Sequence, residues 1–214
     1  MKRKTEGAAA ANGWPRVPLR DVVAEAQAGF ASGMRDHNGV IQLRMNNVDT
    51  RGMIDLTSYL RVPCSADRLD IYRLQRGDVL FNNTNSAELV GKSAMFLGYD
   101  EPVVYSNHFT RLRPKPDALN PEYLVQWLQC EWQRRTFENI CNRWIGQAGV
   151  KWDKLGALII PLPPLVEQRR IASHLNEQMA HLARARAAAE QELALIDALP
   201  AALLREAFGA SRST

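Results

Sequence analysis

The stretch Pro161-Leu-Pro-Pro-Leu-Val-Glu-Gln-Arg-Arg-Ile171 divides the sequence into two unlike parts. Its prolines end the element before them, and Pro164 suits the position just before a helix, because the first turn leaves its N–H groups unpaired anyway. From Glu167 to Leu199 the chain has no Gly and no Pro and is rich in strong helix formers. This pattern predicts a helix of about 50 Å. We expect it to end at Pro200, with a separate short helix over Ala201–Phe208.

One face of the predicted helix carries an apolar seam of the kind that pairs helices in coiled coils. Leu175 and Leu182 begin a row at seven-residue spacing, whereas Gln178 and Glu192 interrupt the companion row. A surface helix packed on its own domain is the alternative interpretation, but a helix this long in a chain this short favours a partner helix. The predicted interface residues are Ile171, Leu175, Leu182, Ala189, Ile196 and Leu203.

The residues before the junction predict one α+β domain of many short strands and a few helices. Phe109–Arg113 alternates as a strand that places Arg111 and Arg113 on one face. Asn120 and Pro121 form a helix start, with Asn as the N-cap and Pro at the first helical position. Asn142–Asp153 is interpreted as a loop. Other predicted segments are a strand at Val40–Met45, an apolar run at Ile71–Leu74, a run at Val79–Phe81, and a hairpin of Ala94–Gly98 with Val103–Tyr105.

Composition and charge set broad limits on the kind of protein. The 214 residues are 46% apolar and 23% charged, as in an ordinary globular protein. No apolar run approaches the ~20 residues that span a bilayer, and three cysteines without CxxC spacing indicate a reduced, cytoplasmic location. Residues 1–12 are interpreted as a disordered basic tail. Residues 165–214 carry six Arg and six Asp/Glu, so the whole net charge of +4 lies in residues 1–164, which permits contact with phosphates.

The junction and the end of the helix together resemble a known family. Ile160–Ile171 and Leu203-Leu-Arg-Glu-Ala-Phe208 are similar to the specificity subunit of type I restriction–modification systems, and Trp14–Val22, Arg76–Phe81 and Leu89–Ala94 resemble its other landmarks. The resemblance implies a target recognition domain at 13–164 that binds double-stranded DNA, followed by a conserved long helix at 165–214. It also implies partners: a methyltransferase subunit that uses S-adenosylmethionine and, in the complete enzyme, a restriction subunit that uses ATP. Neither cofactor would bind this chain.

Base readout requires amide and guanidinium groups, and phosphate contact requires cations. The chain supplies both in predicted loops that follow strands, where a rigid scaffold can aim them. Asparagines in loops also form turns without any binding role, so each assignment has a structural alternative. The candidate DNA-binding residues are Arg35, Asn46, Asn47, Asn82, Asn83, Asn85, Lys92, Arg111, Arg113, Arg143, Gln147 and Lys151.

Catalytic and metal-binding patterns are incomplete in the sequence. Ser86–Ser93 resembles a phosphate-binding loop, but Ser86 stands where the first glycine belongs, and a strand rather than a helix is predicted to follow. Asn120-Pro-Glu-Tyr123 resembles the N-P-P-Y box of amino-methyltransferases without its second proline. His174 and His181 lie seven residues apart without an acid or cysteine to complete a zinc site. The sequence predicts no catalysis and no metal.

The chain has one recognition domain and one helix, whereas the usual specificity subunit has two of each, so it resembles a half subunit. A half subunit can bury its seam against a second copy, which predicts an antiparallel homodimer. The two recognition domains would then lie farther apart than one DNA turn of ~34 Å and read an interrupted palindrome. The alternatives are a stand-alone DNA-binding regulator or decoy, and the recognition portion of a single-chain methyltransferase–nuclease.

Overall fold

A computed structural model describes residues 13–209, which form twelve β-strands and six α-helices. The predicted tail at 1–12 lies outside the described residues. The helices are α1 (Leu19–Val22), α2 (Ala66–Tyr72), α3 (Pro121–Gln133), α4 (Thr136–Ile140), α5 (Trp152–Ala157) and α6 (Leu165–Gly209). The strands are β1 (Arg16–Pro18), β2 (Val23–Ala28), β3 (Val40–Leu43), β4 (Leu60–Val62), β5 (Val79–Asn82), β6 (Thr84–Asn85), β7 (Ser93–Met95), β8 (Val103–Tyr105), β9 (Phe109–Pro114), β10 (Asn142–Trp144), β11 (Gln147–Gly149) and β12 (Ile159–Pro161).

A four-stranded antiparallel sheet in the order β2-β9-β5-β7 lies at the centre of the domain. Successive side chains of a strand point to opposite faces, and β5 is buried on both. Val79 and Phe81 belong to a core that includes residues of α3. Leu80 belongs to a second core shared with the smaller sheet β4-β3-β8. The predicted α+β class is confirmed.

The proline-rich junction is held against the beginning of the chain. Strand β12 pairs antiparallel with β1, and the Leu162 N–H donates to the carbonyl of Pro15 at 2.8 Å. The hydroxyl of Tyr123 in α3 donates to the carbonyl of Pro161 at 2.9 Å. Burial of that phenol raises the pKa of Tyr123 to about 12, so it remains a neutral donor. The junction is therefore part of the domain core and not a linker.

Gln168 is the fully buried residue that joins the junction to the start of α3. Its Oε1 accepts from the N–H of Asn120 at 2.8 Å, and its Nε2 donates to the carbonyls of Ala118 at 2.9 Å and Pro163 at 2.8 Å. An amide supplies one acceptor and two donors in one planar group, and all three are used here. This arrangement explains why a glutamine follows the prolines in the junction sequence.

Helix α6 is longer than predicted, because Pro200 lies inside it instead of ending it. Proline removes one intrahelical hydrogen bond and crowds the preceding turn. The residues around Pro200 are all exposed, so water can bond the freed carbonyl and the helix continues to Gly209. The chain divides into two compact units at Ala172 and Ser173. The first two turns of α6 thus belong to the first unit, a few residues beyond the predicted border at 164.

Several local predictions can be compared with the observed elements. The Asn120 cap is confirmed, since its Oδ1 accepts from the N–H of Tyr123 at 2.9 Å. The alternation in β9 is also confirmed. The hairpin of Ala94–Gly98 with Val103–Tyr105 is wrong, because β7 pairs with β5 while β8 pairs in parallel with β3. Most of Ile71–Leu74 falls at the end of α2 and after it, and the expected loop at 142–153 contains the β10–β11 hairpin and the start of α5.

Candidate nucleic-acid interface

The asparagine-rich run after β5 organises the loops around it. Asn82 is fully buried, and its Nδ2 donates to the carbonyls of His108 at 2.9 Å and Thr84 at 3.2 Å. Its Oδ1 accepts from Nδ2 of Asn85. Both polar atoms of the Asn82 amide are therefore hydrogen-bonded inside the protein, contrary to the expectation that Asn82 faces DNA.

The neighbouring asparagines are half-buried and tie three segments together. Asn83 donates through Nδ2 to Oγ1 of Thr110 at 3.0 Å, and its backbone bonds to His108 and Val150. Strand β6, which contains Asn85, adds to the β10–β11 hairpin as a third strand. The side chains of Asn83 and Asn85 therefore hold the hairpin and the loop at 106–108 in place, whereas the sequence predicts that they contact DNA.

Lys92 and Asn47 brace the turn that follows β3. The buried ammonium of Lys92 donates to the carbonyls of Val48 at 2.6 Å and Met45 at 3.2 Å. Burial lowers its pKa, and the nearby Asp49 charge opposes that effect. Asn47 is buried, with its Oδ1 bonded to the N–H of Arg44 and its Nδ2 to two carbonyls of the following loop. Neither side chain is placed to contact DNA, contrary to the prediction.

The two arginines of β9 form an internal ion-pair network. Arg111 is buried against the second core, where it is paired with Glu25 and bonded to the carbonyls of Ile71 and Arg73. The half-buried Arg113 bonds Asp78 at 2.8 Å and Glu25 at 3.1 Å. The hydrogen bond to Asp78 raises the pKa of Arg113. The predicted shared face is correct, but on that face both guanidinium groups are bound in ion pairs within the protein, contrary to the expectation that they contact DNA.

Five candidates keep an exposed side chain: Arg35, Asn46, Arg143, Gln147 and Lys151. Arg143 forms an ion pair with Glu138 at 3.3 Å. Lys151 stands at the N-cap of α5 without a side-chain cap hydrogen bond. A cation there is unfavourable for the helix dipole, so helix stability does not account for it. The segment 134–154 holds five Lys/Arg and two Asp/Glu, a net charge of +3 out of the whole chain's +4.

Sequence reasoning missed the element that carries two of these candidates. Strands β10 and β11 form a hairpin whose turn is Ile145-Gly146. Trp144 is 51% exposed and Ile145, in the turn, is 101% exposed, so Ile145 buries none of its apolar surface in the fold. A glycine between two short runs is a hairpin signal, and it was present in the sequence at Gly146. We define the exposed side chains of this hairpin, with Lys151, as the candidate interface.

Among residues 13–209, no three His, Cys, Asp or Glu side chains gather as they would around a metal ion. None of the helices in that range is both long and apolar enough to cross a membrane.

The fold defines an α+β domain that ends in a long, largely exposed helix, with an exposed hairpin on the domain. Residues 62–187 match the model of the type I restriction modification DNA specificity domain. That match covers more than half of the chain, and the chain therefore belongs to this family. The resemblance noted from the junction is confirmed.

Two curated relatives share most of this chain. A putative type I restriction enzyme MjaX specificity subunit of Methanocaldococcus jannaschii is 31% identical over 82% of this chain and 41% of its own length. The type I restriction enzyme EcoKI specificity subunit of Escherichia coli is 26% identical over 90% of this chain and 42% of its own length. The chain thus spans less than half the length of these relatives.

Solved structures share the fold. One chain from a study of complex assembly and conformational transition in a type I R-M system aligns with a TM-score of 0.65, at 22% identity over 90% of this chain and 46% of that one. The HsdS subunit of Thermoanaerobacter tengcongensis aligns with a TM-score of 0.58, at 24% identity over 84% of this chain and 41% of that one. At these identities the likeness concerns the fold alone.

Proposed function

We propose that this chain is the non-catalytic DNA sequence-recognition component of a type I restriction–modification methyltransferase complex. The observation that carries the proposal is the family match over 62–187, which includes most of the domain, the junction and the beginning of α6. The exposed cations and amides near the hairpin supply groups for phosphates and base edges. The chemistry would then belong to a methyltransferase subunit with S-adenosylmethionine and, where present, a restriction subunit with ATP. A cytoplasmic location stays a prediction.

The exposed candidate residues would make two kinds of contact with DNA. Lys151 and Arg143 would neutralise phosphates, which gives affinity without sequence information. Gln147 and Asn46 carry amides, which can bond base edges in the major groove. Arg35 lies in the exposed loop at 31–38, where it can contribute a further phosphate contact. Asn47, Asn82, Lys92 and Arg111 support these loops from inside.

Binding of duplex DNA to the purified chain is expected to weaken steeply as salt rises. Each phosphate that a protein neutralises contributes about −0.9 to the slope of log K against log salt. Replacement of Lys151 by Gln should therefore weaken binding to all sequences alike and reduce that slope by about 0.9 in magnitude. Fluorescence anisotropy with labelled duplexes at several salt concentrations measures both quantities.

Arg76→Gln is the matched control for Lys151→Gln. Arg76 is exposed, and it bonds the carbonyl of Leu97, before the start of β5 rather than after its end. The Arg76→Gln variant should leave the DNA affinity and the slope of log K against log salt unchanged. DNA affinity that does not respond to salt would contradict the proposed phosphate-binding surface.

We also propose that α6 pairs with a second copy of itself. The seam residues Leu175, Leu182, Ile196 and Leu203 are between 38% and 64% exposed, and burying each would contribute ~1.5–3 kcal/mol. Ala189 lies in the same row and is exposed, whereas Ile171 packs on the core of its own domain. We therefore take the interface to begin at Leu175. An antiparallel pair has a twofold axis, so the dimer would read two inverted half-sites separated by a gap.

A further inference from the structure

The β10–β11 hairpin is a stiff projection with an apolar tip. Gly146 takes a φ of 74° at the turn, which glycine adopts without steric cost. Strand β11 is also paired with β6 on its other side, so the hairpin is part of a three-stranded sheet. Ile145, at the tip, is fully exposed. Only Ala148 and Gly149 of β11 pair with β6, so the tip beyond them is a two-stranded ribbon, an element that the major groove of duplex DNA admits.

Trp144 and Gln147 form the outward face of this hairpin. They are cross-strand partners, as are Arg143 and Ala148. Side chains alternate along a strand, and Ala148 is buried, so the pair Trp144–Gln147 looks away from the core. The indole ring lies over Gly149, where a Cβ atom would come within 2.7 Å of the ring. The absence of a side chain at Gly149 therefore leaves the room that the indole ring occupies.

One hydrogen bond fixes which way the Gln147 amide faces. The Nε1–H of Trp144 donates to Oε1 of Gln147 at 3.0 Å. An indole nitrogen can only donate, so its partner must be the amide oxygen. The two N–H groups of Gln147 Nε2 have no bond among those found for the described residues, and the residue is exposed. The hairpin thus presents an oriented donor beside an apolar tip.

The surrounding charge favours nucleic acid as the occupant. The segment 134–154 has a net charge of +3, and Lys154 lies at the base of the hairpin, where its ammonium bonds the side chain of Asn142 at 2.9 Å. Phosphates on either side of a groove would meet these cations while the tip enters the groove. The phosphate backbone of a duplex is the negatively charged surface that such cations complement.

We propose that the β10–β11 hairpin enters the major groove of the DNA target, where Gln147 donates to a base acceptor and Trp144 acts as the positioning residue that orients it. The inference rests on the proposed DNA recognition, and it names the hairpin that enters the groove and the hydrogen bond that Gln147 makes there. In the major groove guanine and thymine present acceptors at O6 and O4, whereas cytosine presents only an amino donor. The base under Gln147 is therefore one that offers an acceptor. Ile145 makes the apolar contact beside it.

Selection from a pool of randomised DNA duplexes by the full chain at low salt tests this assignment. The unmodified chain should enrich a defined motif. Trp144→Phe keeps an aromatic ring and loses the N–H, so the side-chain amide of Gln147 is free to rotate. The preference for one base at a single position of the motif should then fall from about tenfold to almost none. Gln147→Glu still accepts from the indole but offers an acceptor to DNA. Its motif should change at that same position to a base with an amino donor in the major groove, cytosine or adenine, since a carboxylate accepts from either amino group.

Trp132→Phe is the matched control, because it also removes an indole N–H, which donates to the carbonyl of Glu88 at 3.2 Å. It should leave the motif unchanged. If Trp144→Phe and Gln147→Glu, both folded by circular dichroism, enrich the same motif as the unmodified chain, the hairpin assignment is overturned while DNA recognition stands. An Ile145→Ser variant that enriches the unmodified motif but no longer binds a methyltransferase subunit would also overturn the hairpin assignment and leave DNA recognition standing. Enrichment of no motif by the unmodified chain would remove the proposed function itself.

Discussion

Gln168→Glu is expected to destabilise the domain by roughly 3–5 kcal/mol at pH 7. The change is isosteric and keeps the acceptor for the N–H of Asn120. It replaces the two donors by a carboxylate oxygen that faces the carbonyls of Ala118 and Pro163, 2.8–2.9 Å away. Urea unfolding followed by circular dichroism measures the loss of unfolding free energy.

The pH dependence of this variant has a definite sign. Burial raises the pKa of the introduced carboxyl above its value in the unfolded chain, so the folded state binds the proton more tightly. The variant should therefore gain stability, relative to the unmodified chain, as the pH falls. Gln191→Glu is the control, because Gln191 is exposed on the same helix. Equal unfolding free energies for Gln168→Glu and the unmodified chain would show that the junction amide does not hold the domain together.

Leu182→Glu is expected to convert a homodimer into monomers. A twofold interface contains the residue twice, so the loss is about 3–6 kcal/mol per dimer, a factor of ~10²–10⁴ in the dissociation constant. Light scattering at tens of micromolar reports the mass directly. Leu182 is 64% exposed in the single chain, so the substitution should not unfold the helix.

Ala187→Glu adds the same charge on the opposite side of α6, five residues along the heptad from Leu182. It should leave the dimer intact. A monomeric unmodified chain, or a Leu182→Glu variant that stays dimeric, would exclude this seam as a homodimer interface. A monomer would leave pairing with a different half subunit, and the DNA target would then not be a palindrome.

Local rules predicted those elements whose causes are local. The Asn120 cap and Pro121 fix the start of α3 within four residues, and the alternation of β9 is a property of that strand alone. The prediction that the helix ends at Pro200 is wrong, because it assumes that a backbone carbonyl without its intrahelical partner destabilises the helix. On an exposed helix water replaces the lost partner, and a single proline does not outweigh the turns on either side.

The candidate site was harder to predict, because an amide or a cation in a loop can face either way. Asn82 was assigned to DNA, but its partner is the carbonyl of His108, 26 residues along the chain. The acceptors for Lys92 lie 44 and 47 residues away. These partners are too far apart along the chain for a local sequence pattern to pair them. By contrast, Arg143 and Gln147 are candidates because of their guanidinium and amide groups, and both lie exposed on a hairpin where the sequence predicts a loop.

Methylome sequencing of the host, with the gene intact and with it deleted, tests the proposed DNA recognition most directly. Deletion should remove methylation from one bipartite motif with inverted half-sites, and restoring the gene should restore it. The purified chain should transfer no methyl group to DNA unless a methyltransferase subunit is added. Identical methylomes in the two strains, or methyl transfer by this chain alone, would contradict its role as a non-catalytic specificity component.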